Sequence, residues 1–154
     1  MKTTTCTFIG HSKLWGKKAE LEPLIYEKLK ELIVNCEVDT FYNGGMGEFD
    51  LLCASVVRKL KREYSIRLIL VIPYMTKEIN DNCEFYYSQY DDIIRPEELM
   101  GVHYKAAITR RNRWMADNSS YAICYVNDKN GGAYKTLTYA KKTDIRIINF
   151  ADEQ

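Results

Sequence analysis

The chain carries almost no excess charge: 22 Lys and Arg stand against 21 Asp and Glu, a formal net charge of +1. Nothing electrostatic draws it to nucleic acid or to an anionic membrane, and neither is an expected partner. Long apolar runs are missing too. The longest, LILVIP at residues 68–73, falls far short of the roughly 20 residues that cross a bilayer, and the opening MKTTTCTFIGH lacks the hydrophobic region of a secretory signal. Histidine is scarce, and the five cysteines (Cys6, Cys36, Cys53, Cys83 and Cys124) are odd in number, widely spaced and free of any C-x-x-C pair. Zinc-ligand spacing and a disulfide framework are thereby excluded, and no metal is expected. Reduced thiols, three of them in apolar patterns, point to a cytoplasmic protein. No Pro/Gly-rich linker divides the chain, so residues 1–154 read as one domain, large enough to bury a core without staples.

What is present is alternation. TCTFIG (5–10), VDTFYN (38–43), IRLILVIPY (66–74), YAICYVN (121–127) and IRIINF (145–150) read as strands. Between them, residues 23–35 carry the helical stripe Leu24, Ile25, Leu29, Leu32 and Ile33, with Pro23 in the first turn. Residues 48–64 carry Phe49, Leu52, Cys53, Val56 and Leu60 on one face, and 107–119 and 130–142 complete the helices. Residues 75–108 fit no single pattern. Strands alternating with helices imply right-handed crossovers. The predicted fold is therefore α/β, a Rossmann-like three-layer sandwich around a mostly parallel sheet of about five strands. Ligands of such sheets sit at the carboxyl ends of the strands.

The glycines gather at those ends. Gly10 follows the first strand, Gly44, Gly45 and Gly47 the second, and Gly131 and Gly132 the fourth. A helix N-terminus offers unpaired N–H groups to an anion, and glycine lets a phosphate approach the backbone. Tight turns and close strand–helix packing explain the same residues equally well. The P-loop pattern is absent, and Asp50 stands where the third glycine of G-x-G-x-x-G belongs. Glu48 and Asp50 suit the dipole of a first helical turn; Asp50 is also placed to accept hydrogen bonds from a ribose or to polarise a water.

Other candidates surround these turns. His11, after the first strand, can bond a phosphate or move a proton. Arg110 and Arg113 share a helix face with Trp114, while Arg111, beside Asn112, points elsewhere; a guanidinium fork matches a phosphate. Phe85, Tyr86, Tyr87 and Tyr90, with Asp91 and Asp92, sit on a long connection that reads either as a lid or as a dimer interface; Tyr74 belongs with them. As a lid, its tyrosines would stack on a base, and Asp91 or Asp92 would bind ribose or a metal-bridged phosphate.

FIGH near the start, FYNGGMGEFD after the second strand, RRNRWM and the late NGGA together resemble the SLOG superfamily, in particular its small stand-alone bacterial branch related to YpsA. The likeness spans residues 5–150. It implies a Rossmann-like domain that binds nucleotides or nucleotide-derived ligands; relatives include phosphoribohydrolases, a DNA-processing protein and sensors of NAD-derived signals. The resemblance places Gly10 and His11 of the first loop, Gly44, Gly45, Gly47 and Asp50 of the second, Arg111 and Asn112 of the RRNRWM helix, and Gly131 and Gly132 in a common pocket, with Ser12 and Met46 between them. Two positions depart from it. Ser12 replaces the arginine of a G-H-R motif, and Leu51 stands where the phosphoribohydrolases carry glutamate. No cofactor is firmly implied; the expected partner is a nucleotide-like or NAD-derived small molecule, sensed or sequestered at the sheet edge by a homodimer or a higher oligomer. The alternative is an enzyme that cleaves an N-glycosidic bond of such a ligand, with His11, Asp50, Asp91 or Asp92 handling protons and Arg111 holding the phosphate.

Overall fold

The computed structural model describes residues 4–153; residues 1–3 and 154 of the expected 1–154 domain lie outside it. Six strands form one parallel sheet: β1 (Thr4–Gly10), β2 (Val38–Asn43), β3 (Arg67–Val71), β4 (Asp92–Ile94), β5 (Tyr121–Tyr125) and β6 (Arg146–Asn149). Their order is β4-β3-β2-β1-β5-β6. The chain starts in the middle, walks outward to β4, then returns to lay β5 on the other side of β1. Successive connections therefore leave β1 in opposite directions, which opens a crevice at the carboxyl ends of β1 and β5.

Helices cover both faces. α1 (Lys18–Cys36) and α2 (Glu48–Leu60) bury Leu21, Ile25, Leu29, Phe49, Leu52 and Val56 against Cys6, Phe8, Phe41, Leu68 and Ile123 of the sheet. α5 (Tyr104–Asp117) and α6 (Gly132–Ala140) cover the other face, where Met115 meets Ile69 and Val71, and Leu137 packs with Ile9 and Cys124. Alternate residues of each strand thus feed opposite cores, which is why strands such as RLILV read as continuous apolar runs. The short helices α3 (Lys77–Asp81) and α4 (Cys83–Gln89) lie between β3 and β4. Among the described residues no helix is long and apolar enough to cross a membrane, and all five cysteines are free.

Three expectations need correction. α1 begins at Lys18, so Pro23 lies in its second turn, on an exposed face. Its buried stripe is Leu21, Ile25, Leu29 and Leu32; Leu24 is 46% exposed. The sheet gains β4, which the sequence conceals because it is three half-buried residues long.

Gly10 owes its identity to packing. A Cβ there would fall 2.2 Å from the Phe49 ring. Gly10→Ala is therefore expected to lower stability by about 2 kcal/mol through overpacking, read by urea denaturation, and Phe49→Leu in the same chain should recover part of the loss.

Candidate functional site

The loop after β2 is organised by Asn43, a fully buried side chain. Its Oδ1 accepts the Gly45 N–H at 2.7 Å, and its Nδ2 donates to the Asp50 carbonyl at 2.8 Å, joining the turn to the start of α2. Each glycine of this loop has a separate reason. Gly45 has φ +66° and faces Leu70, 2.6 Å from where a Cβ would stand; Gly47 has φ +89° and faces the Ser12 backbone at 2.6 Å. A Cβ on Gly44 would fall 3.1 Å from Asp50 Oδ2 and 3.2 Å from Arg111 Cζ. The missing side chain leaves room for the carboxylate and the guanidinium beside the Gly44 backbone.

Arg111 is 2% exposed. Its Nη1 donates to the carbonyls of Gly44 (3.1 Å) and Val71 (2.8 Å), its Nε to Asn112 Oδ1 (2.9 Å), and its Nη2 to Met46 Sδ (3.2 Å). The cation thus pins α5 to the ends of β2 and β3. Burial pulls its pKa below the ordinary value, opposed by Asp50 and Tyr74. Asp50 accepts the Met46 N–H at 3.2 Å. Burial pushes its carboxyl up to about 7, against the pull of Arg111 and of that hydrogen bond. At neutral pH this carboxyl is divided between its acid and its base form, the property a proton-transfer group needs.

The loop after β1 is tied to α2 by Glu48, whose Oε2 accepts the Leu14 N–H at 2.6 Å while its own N–H donates to Ser12 O at 2.8 Å. The His11 ring bridges to the far wall: its Nε2 accepts the Asn127 N–H at 3.1 Å, and its edge meets Tyr125. That bond leaves Nδ1 to carry the proton and to donate elsewhere.

These loops enclose a cleft of about 390 Å³ over the carboxyl end of β1, floored by Thr7 and Ile9 and walled by α5 and the turn that opens α6. Of the residues expected at the site, Gly10, His11, Ser12, Met46, Asp50, Arg111, Asn112, Gly131 and Gly132 line it. Gly44, Gly45 and Gly47 do not; they shape the wall behind Met46 and Asp50. Tyr74 is half-buried, coupled to Arg111 but outside the lining. Asp91 and Asp92 are not brought to the cleft at all. Asp91 Oδ2 accepts the Leu68 N–H at 2.7 Å and its carboxylate pairs with Lys61, while Asp92 faces Arg67 at 3.9 Å. Both sit at the amino ends of β3 and β4, across the sheet from the glycine turns. Among the described residues no three His, Cys, Asp or Glu side chains gather to hold a metal ion.

Gly131 and Gly132 differ from the glycines that follow β1 and β2. Gly131 needs glycine for its φ of +92°, yet neither residue has any atom within 4 Å of where a Cβ would stand. At Gly132, neither backbone conformation nor packing calls for the absence of a side chain. The first N–H groups of α6 have no intrahelical partners, and no side chain caps them.

Sequence reasoning passed over Asn43, Asn127 and the bridging role of Glu48. Asn before Gly-Gly is a turn signal that could have been read; the Glu48 and Asn127 contacts join separate loops and leave no local trace.

A model of the YspA SLOG family (YpsA) matches residues 16–152. The chain belongs to this family. A UPF0398 protein of Macrococcus caseolyticus is 26% identical over 136 residues, 84% of this chain and 69% of the relative. Among solved structures, this SLOG family protein is similar to DNA processing protein A (DprA) of Streptococcus pneumoniae, with a TM-score of 0.70 and 13% identity over 96% of this chain and 50% of that one. It is also similar to the Helicobacter pylori protein, described for its single-stranded DNA binding mode, with a TM-score of 0.65 and 15% identity over 96% of this chain and 65% of that one. The SLOG chain thus spans half to two thirds of the DprA chains, and identities this low establish the fold alone.

Proposed function

We propose that the cleft binds a nucleotide or an NAD-derived molecule, with its phosphate on the Gly131–Gly132 turn and its ribose toward Asp50. One observation carries this reading: α6 opens on the cleft lining with no side chain capping its first N–H groups, and a side chain begun at Gly132 would meet no protein atom within 4 Å of its Cβ. Arg111 acts in this reading as a buried counter-charge near Asp50, with its Nη2 donating to Met46 Sδ of the same lining. His11 Nδ1 and Asn112 supply further polar groups on the same lining.

The second reading, cleavage of an N-glycosidic bond, is favoured by a single feature, the Asp50 carboxyl near neutrality inside the cleft. Single-stranded DNA, the ligand of the Helicobacter pylori protein, is a weaker occupant here: net charge is +1, and Asp50 and Asp128 both line the cleft.

Gly132→Phe tests the site, because a Cβ there meets no protein atom within 4 Å and the added ring crowds the proposed phosphate position. Calorimetric titration with AMP, ADP-ribose and NAD should give saturable binding to the native protein and at least about a tenfold loss in the variant, with the melting temperature unchanged. Equal binding by both proteins, or none by either, rejects the proposal. Chromatography of the recovered ligand separates binding from turnover, and a thymidine oligonucleotide bound in place of the nucleotides would favour the DNA reading.

A further inference from the structure

Trp15 lines the cleft mouth and is 80% exposed. Its backbone is no less unusual. The Lys17 N–H donates to Leu14 O at 3.1 Å, closing a turn whose central residues Trp15 and Gly16 have φ of +53° and +79°. Positive φ at both positions is the type I′ pattern, which selects Asn, Asp or Gly at the place Trp15 holds. A bulky residue there is a genuine outlier. The neighbouring contacts hold the turn in place: Leu14 is buried, and its N–H is gripped by Glu48. Core packing gains nothing from the indole, and turn preference argues against it. What it does is present its ring at the rim of the cleft, with Lys13 Nζ over the ring at 5.7 Å from its centre.

We propose that Trp15 is the stacking platform for a planar heteroaromatic base, so that the cleft takes a nucleoside phosphate by both ends: base on the indole, phosphate on the Gly131–Gly132 turn. This rests on the binding reading of the cleft and names the ligand class within it. Every base has a π-face, so the platform selects for the presence of a base rather than among bases. Lys13, already over the ring, supplies a cation beside the stacked pair.

The probes are AMP and ribose 5-phosphate, which share sugar and phosphate and differ by the base. Native protein should bind AMP about 30-fold more tightly than ribose 5-phosphate. Trp15→Asn should bring AMP down to the ribose 5-phosphate level, leave ribose 5-phosphate unchanged, and hold or raise the melting temperature, because asparagine suits the turn. Trp15→Phe should keep most of the AMP preference. A stability gain joined to a base-specific binding loss would not arise from a merely structural tryptophan. AMP binding undiminished in Trp15→Asn overturns the platform while leaving the cleft reading intact. Failure of both probes to bind native protein removes the cleft reading and the platform together.

Discussion

An Arg111→Met variant is expected to unfold about 3 kcal/mol more readily than the native chain, because it strands buried acceptors that the guanidinium satisfies. Methionine fills much of the same volume, so the loss is electrostatic. The Gly44 and Val71 carbonyls would lose their donor in the interior, and Asp50 its nearby cation; each uncompensated buried group costs about 1–3 kcal/mol. Arg111→Lys should recover less than half of the loss. A compact ammonium cannot reproduce the planar fork that serves two carbonyls and Asn112 at once. Urea denaturation reads the difference, with exposed Arg110→Met, one residue away on the same helix, expected within about 0.5 kcal/mol of native. A loss below about 1 kcal/mol for Arg111→Met would mean that the guanidinium is solvated and that α5 is held by its apolar contacts alone.

The buried face of α2 was legible because Phe49, Leu52, Cys53, Val56 and Leu60 repeat at helical spacing, and all five are buried. The carboxyl-edge glycine turns were legible for a similar reason: strand and helix patterns bracket them. Arg111 was not legible as a buried residue, since its acceptors come from the ends of β2 and β3 and nothing in RRNRWM announces them. Asp91 and Asp92 were misplaced for want of one element. In a parallel sheet the residues that open a strand lie at the amino edge, so recognising β4 at Asp92–Ile94 would have put both carboxylates across the sheet from the glycines. The glycine cluster itself had two explanations in sequence, anion binding and close packing. The fold divides it: Phe49, Leu70 and Ser12 account for Gly10, Gly45 and Gly47, whereas a Cβ on Gly131 or Gly132 would meet no protein atom within 4 Å.

Asp50 gives the second large effect, and its direction is the reverse of the usual carboxylate. An unfolded aspartate titrates near about 3.9, whereas the folded protein raises Asp50 to about 7. Between these values the native state holds a proton that the unfolded chain has released. Its stability therefore falls as pH rises through the window and stops falling above about 7. Across pH 4.5 to 8 the two-state relation gives a decline of about 3 kcal/mol, reduced toward about 2 because part of Asp50 faces the cleft opening. Asp50→Asn removes the titration and preserves an acceptor for the Met46 N–H. Groups common to both proteins cancel in the difference between their stability–pH curves. That difference should shift by about 2–3 kcal/mol in favour of Asp50→Asn between pH 4.5 and 8, with its midpoint slope between about 4 and 7. Parallel curves would show that Asp50 is ionised throughout as half of an ion pair with Arg111, and would remove the one feature that favours proton-transfer chemistry at this cleft.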